Sequence, residues 1–368
     1  FEMCFPCWAN EPSTRPWYSL FGRQVFHRLH DAKSIENHCQ KSDKLGEGRF
    51  GKVYAGDGLS ICFRGTCRRG RHLALKVSSL EGKHACRTGR LSKELKVDLF
   101  DLIAQLHHPS IVRHYRFIES ETTLYIVMDR CRGLELLQYV DAKGGVLNLD
   151  TVREIARQIL GALAAVHAIL LMHRDIKPEN FRFHDHTGRR LKLLDFGAAK
   201  RSSGRVEAHT VTGTLLYAAP EVFTGEYWHS CDMWSAGVII FLLISGQLPF
   251  ETSDVTVLSS MHHDPVLTGH QLLRGDRWDK VPAATSSLVR ALLTVDAAER
   301  ISALEASTHT WFDDSSDDTL CLTPLRRTGS SFGSIANFKR TFFVWNLAEC
   351  TNEEDGGTPP NMRRSASA

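Results

Sequence analysis

A chain of 368 residues with 42% apolar content can bury a sizeable core, so it reads as a globular protein of one large domain or two lobes with tails. Its 45 Lys and Arg against 42 Asp and Glu leave a formal charge of only +3, which excludes a global basic field for nucleic-acid binding. The longest apolar run, 237–244, falls far short of the roughly 20 residues a spanning helix needs, so no transmembrane segment is expected.

In chain order, residues 1–40 mix aromatics, Pro and His without a sustained period and read as an N-terminal extension with at most one short helix. The chain starts at Phe1 rather than Met, so it reads as a fragment whose targeting signals are illegible. Cys4 and Cys7 form a C-x-x-C, but no second pair stands at zinc-site distance. The ten cysteines have no repeating spacing and read as reduced thiols, which places the chain in the cytoplasm, with a nuclear or membrane-peripheral setting left open.

From Asp43 the pattern sharpens. Lys44-Leu45, a glycine cluster, Val53-Tyr54 and 72–77 predict strands joined by tight turns, with a Gly-, Arg- and Cys-rich hairpin or insertion over 55–71. Leu95, Leu99, Leu102, Ile103 and Leu106 give helical spacing over 92–106, and 123–128 reads as a strand. After Gly133 the chain turns helical, notably over 151–171 and 231–245. The expected fold is α+β: a small strand-rich lobe over 41–132, a larger helical lobe over 133–312, and a tail over 313–368 where Asp, Ser and Thr take over.

Gly46-Glu47-Gly48-Arg49-Phe50-Gly51 is a G-x-G-x-x-G, whose glycines let backbone N–H groups approach phosphates. Val53 stands where a Walker loop needs a hydroxyl, and strand-forming residues follow where a dinucleotide fold needs a helix. Taken alone, the loop is either a phosphate cradle or an ordinary glycine turn.

The ordered series that follows resembles the eukaryotic protein kinases. Leu73-Ala74-Leu75-Lys76 stands like V-A-I-K, and His173-Arg174-Asp175-Ile176-Lys177-Pro178-Glu179-Asn180 like the catalytic loop. Asp195-Phe196-Gly197 stands like D-F-G and Ala219-Pro220-Glu221 like A-P-E, so the match runs from about 41 to 312. The resemblance implies a two-lobed fold with ATP and Mg²⁺ in the cleft. It implies that Asp175 accepts the substrate hydroxyl proton, that Lys177 and Lys76 meet phosphates, and that Asn180 and Asp195 hold the metal. Lys177 points to Ser and Thr rather than Tyr as acceptors. Nucleotide contacts are implied at Leu45, Gly46, Gly48, Gly51 and Val53 from the glycine hairpin. Further ones are implied at Ala74, Met128, Asp129, Cys131 and Glu135 across the hinge.

Residues 231–238, 245–250 and 299–303 resemble the calcium/calmodulin-regulated group, close to calcium-dependent kinases. That likeness implies that Asp232 braces the catalytic loop, that Arg300 pairs with Glu221, and that Glu135 and Glu179 receive a substrate arginine, giving an R-x-x-S/T preference. In the activation segment, Ser202, Ser203, Thr210, Thr212 and Thr214 offer hydroxyls, and Arg174 is expected to pair with a phosphate or acid there.

Two residues break the pattern. Leu99 occupies the place of the glutamate that pairs with the lysine at Lys76, leaving Asp98 as the preferred substitute. Arg182 stands where an apolar residue underlies adenine; either it stacks as a planar cation or the strand shifts to present Phe181 or Phe183. Both departures keep open a second reading, a catalytically weak pseudokinase scaffold.

In the tail, 325–347 carries Phe332, Ile335, Phe338, Phe342 and Trp345 among Arg326, Arg327, Lys339 and Arg340. It reads as a basic amphipathic helix suited to calmodulin or another calcium sensor, to permanent packing on the large lobe, or to a membrane surface. The sequence holds no EF-hand loop, so calcium control requires a partner or a further region.

Overall fold

The computed structural model describes residues 26–28, 43–48, 51–56, 60–63, 66–69, 72–81, 93–145, 147–202, 206–207, 215–250, 260, 273 and 278–313. Most of the expected N-terminal extension, the activation-segment hydroxyls other than Ser202, and the expected helix at 325–347 lie outside them.

Within the small lobe, β1 (Phe26–Arg28), β2 (Lys44–Gly48), β3 (Gly51–Ala55), β4 (Ser60–Phe63), β5 (Thr66–Arg69) and β6 (Leu73–Ser79) precede helix α1 (Lys93–Gln105). β7 (His114–Glu119) and β8 (Thr123–Asp129) follow. Six strands form one sheet in the order β1-β7-β8-β6-β3-β2, while β4 and β5 make a separate hairpin inside the stretch expected as an insertion. Gly51, at φ +146°, turns β2 into β3; a Cβ there would stand 2.1 Å from the Val77 carbonyl oxygen, so only glycine fits. β1 departs from expectation: part of the supposed extension is a strand, paired in parallel with β7.

The large lobe contains α2 (Leu136–Ala142), α3 (Leu149–Ala168), β9 (Leu171–Met172), β10 (Phe181–Phe183), β11 (Leu191–Leu193), β12 (Lys200–Arg201) and β13 (Val206–Glu207). Then come α4 (Pro220–Thr224), β14 (Glu226–Tyr227), α5 (Ser230–Ser245), α6 (Ala283–Leu292) and α7 (Ala303–Ser307). Asn148 caps α3 by accepting from the Thr151 N–H at 2.9 Å. The Val152, Ile155, Ile159, Leu163 and Val166 stripe of α3 is fully buried, as its 3.6-residue spacing requires. α5 is apolar all round and buried all round, so it serves as the central post of the lobe.

Arg300 ties α4 to the lobe's base. Its guanidinium meets both Glu221 oxygens at 2.5 and 2.9 Å and also donates to the carbonyls of Ser230, Thr294 and Val295. The Arg300 side chain is fully buried, so its removal leaves a buried carboxylate and three carbonyls without donors. Arg300→Met should cost about 3–5 kcal/mol, read as a lower midpoint in urea unfolding, whereas a surface pair would cost under 1.

Candidate active site

The catalytic loop is fixed before any ligand is considered. Asp232, at the start of α5, accepts from the His173 N–H at 2.9 Å and the Arg174 N–H at 2.8 Å, and His167 Nε2 lies 3.0 Å from the same carboxylate. Burial works to raise the Asp232 carboxyl, but His167 and the backbone donors outweigh it and hold it below its ordinary value. Arg174 takes φ +63°, a left-handed conformation that is costly for a non-glycine residue and is held here by these bonds.

Beyond this turn, Asp175 is buried and held from both sides. Lys177 Nζ donates to it at 2.9 Å, and Asn180 Nδ2 donates to its Oδ2 at 2.9 Å and to its main-chain oxygen at 2.6 Å. These bonds leave Asn180 Oδ1 as a free acceptor among the described residues.

Facing the loop, Lys76 on β6 donates to Asp195 Oδ1 at 2.5 Å, and the Gly197 N–H reaches the same oxygen at 3.0 Å. Burial would raise the Asp195 carboxyl; the Lys76 charge and hydrogen bond overcome it and take the pKa down to about 2. Asp195 sits at φ +47°, a second strained non-glycine position at the same site. The expectation that Asp98 would pair with Lys76 is corrected: helical period turns Asp98 outward and buries Leu99, and Lys76 finds Asp195 instead.

Between the lobes lies a cavity of about 500 Å³. Leu45, Gly46, Gly51, Val53, Ala74, Lys76, Met128, Asp129, Cys131 and Glu135 line it, together with Asn180 and Asp195. Gly48 is not among the lining residues, and Asp175 and Lys177 adjoin the cavity through Asn180. Burial pushes the Cys131 thiol up to about 11, so it stays protonated beside the hinge.

Arg182 lines the cavity as well, its Nε donating to the Gly133 carbonyl at 2.9 Å and its Nη1 standing 4.0 Å from Glu135. Phe181 and Phe183 are 1% exposed and point into the core, so β10 has not shifted to present them. Arg174 donates to the Ala198 carbonyl at 2.7 Å and to the Tyr227 hydroxyl at 3.4 Å, while most of the activation-segment groups it is expected to meet lie outside the described residues.

Sequence reasoning missed the rear wall, formed by Phe100, Ile103, His114, Phe117 and Phe196. The Phe196 ring meets the His114 ring edge-on at 5.5 Å and the His173 ring at 4.9 Å, joining sheet to catalytic loop through one aromatic column. The donor set fits Mg²⁺, since Asn180 and Asp195 supply hard oxygens to a cavity that also holds a lysine cation.

The profile of the protein kinase domain family matches residues 39–312. The chain belongs to that family. Over 274 residues, 73% of this chain and 46% of the relative, the kinase domain is 35% identical to calcium-dependent protein kinase 3 of Plasmodium berghei (strain Anka). It is 31% identical over 281 residues to calcium-dependent protein kinase 11 of Arabidopsis thaliana, covering 76% and 54% of the two chains. Identity to human serine/threonine-protein kinase H1 is 30% over 271 residues, covering 73% and 59%. The chain thus spans about half the length of the curated relatives it matches. It carries a serine/threonine-type protein kinase domain with a strand-rich N-terminal and a helical C-terminal part, and such domains use ATP and Mg²⁺. No helix among the described residues is long and apolar enough to cross a membrane.

His114 gives the kinase domain a pH signature. Burial and the nearby charge of Lys76 drive its imidazole down to about 4, against the opposing pull of Asp195, with His173 lowering it slightly further. Unfolded, the same group protonates near pH 6.5. The unfolded state therefore binds the extra proton between these values, and stability is full above about pH 6.5 and falls toward pH 4, by roughly 3 kcal/mol in all. Thermal melts at pH 7 and pH 5 check this: His114→Leu should lose less stability on acidification than the unaltered protein, and equal losses would contradict it.

Proposed function

We propose that the protein bearing this domain transfers the ATP γ-phosphoryl group to Ser and Thr hydroxyls of other proteins. The single observation that carries this reading is the Asp175 carboxylate, buried and clamped by Lys177 and Asn180 next to the Lys76–Asp195 pair. Asp175 orients the substrate hydroxyl and takes its proton as the oxygen bonds to the γ-phosphorus and the bond to the β-phosphate oxygen breaks, releasing ADP. Lys177, beside Asp175, balances charge on the transferred group. Lys76, now paired with Asp195, would bind a nucleotide phosphate, and Asp195 and Asn180 would hold the metal. Bound Mg²⁺ supplies charge neutralisation on the phosphates.

Substrate choice follows from the carboxylates of Glu135 and Glu179, which both line the cavity. Glu135 lines the cavity and already stands within reach of one guanidinium, that of Arg182, which supports a preference for arginine upstream of the phosphorylated residue. Calcium control through a calmodulin-like partner at 325–347 rests on the basic, aromatic pattern of that segment and on the names of the relatives.

A peptide panel tests the reading. A serine peptide with arginine three residues upstream should accept phosphate, replacing that arginine by alanine should raise KM by about tenfold or more, and the tyrosine version should be inert. Glu135→Gln should erase the arginine preference. Indifference to the arginine would reject the substrate assignment, and efficient tyrosine phosphorylation would reject the Ser/Thr assignment.

A further inference from the structure

Helix α1 lends Phe100 and Ile103 to the cavity wall, yet the described residues show no charge tie between it and Lys76, whose ion pair goes to Asp195. Leu99 and Ile103 pack the helix into the core, and two further contacts reach it from β7 and β1. Lys96 Nζ meets Glu119 Oε2 at 2.9 Å, and both side chains are about 10% exposed, so the end of β7 grips the helix through a nearly buried ion pair. Phe100, one turn further along, stacks its ring on Phe117 at 4.3 Å and on Phe26 at 5.5 Å.

Phe26 comes from far away in sequence. It belongs to β1, three residues paired in parallel along β7 in the register Phe26↔Phe117, His27↔Ile118 and Arg28↔Glu119. A strand this short holds by augmenting an edge and by its anchor side chain, and Phe26 is only 6% exposed. Phe100 and Phe117 line the cavity, so a single ring stands between the anchor and the cavity.

We infer that Phe26 is a positioning residue for phosphoryl transfer: its stack on Phe100, together with the Lys96–Glu119 pair, sets helix α1 against the site. The N-terminal strand thereby shares in holding the helix that lines the site. This inference rests on the phosphotransfer reading of the cavity. A ring that merely packs would change how much protein folds; a ring that positions changes the turnover of each folded site.

The test uses the full chain, Phe26→Ala, the conservative Phe26→Tyr, and Glu119→Gln, with turnover expressed per titrated nucleotide site. Phe26→Ala should lower kcat about tenfold while KM for ATP stays within about twofold, because Phe26 itself does not line the cavity. Phe26→Tyr should retain the rate, and Phe26→Ala with Glu119→Gln should lose less than the product of the two single effects, since both act through one helix. Amide exchange across 93–105 should quicken in Phe26→Ala and in Glu119→Gln. Unchanged kcat per site with unchanged exchange overturns the proposal. Should Phe26→Ala fail to fold, Phe26→Leu is judged by the same two readouts. If the unaltered chain transfers no phosphate, the phosphotransfer reading fails, and the exchange result alone decides whether Phe26 sets the helix.

Discussion

One buried carboxylate carries the geometry of the site. Asp232 stands on the fully buried post α5 and collects two consecutive backbone N–H groups from His173 and Arg174. An ionised carboxylate so deep would be costly without donors, and it has three. In return it holds Arg174 in a left-handed turn, and that turn sets Asp175 within reach of Lys177 and Asn180. Loosening Asp232 would release strain at Arg174 and with it the aim of the catalytic loop.

The second organising feature is the aromatic column from His114 through Phe196 to His173. It runs from the small-lobe sheet to the catalytic loop. Because Phe196 follows Asp195 in the chain, the position of the carboxylate depends on packing at the rear wall as well as on Lys76. The left-handed Asp195 backbone is held by that packing and by the Gly197 N–H. A pre-set pair of Lys76 and Asp195 costs little to reorganise if each finds an opposite charge in the bound nucleotide and metal.

Much of this was legible in the sequence because period and spacing report local geometry. The glycine hairpin, α3 and α5 follow from their patterns, and the ordered motifs foretold that Lys76, Asn180 and Asp195 would meet in one cavity. Asp98 failed because a helical position one residue off faces the other way, and burial chose Leu99. Arg182 left two packings open in the sequence; strand alternation decided between them by sending Phe181 and Phe183 to the core. Phe26 carried no readable signal, since a three-residue strand has no period and its partner, Phe117, lies in a distant segment. His114 lies on β7, a strand no expectation covered, and only the meeting of sheet, helix and catalytic loop made it part of the wall of a cavity.

The account stands or falls on Asp175. The most direct measurement is transfer of labelled γ-phosphate from ATP and Mg²⁺ to a serine peptide in a single turnover, comparing the unaltered chain with Asp175→Asn. The account requires transfer by the first and a loss of about a hundredfold or more in the second, with nucleotide binding retained in both. Equal transfer by the two proteins, or nucleotide binding without any transfer by either, would contradict it.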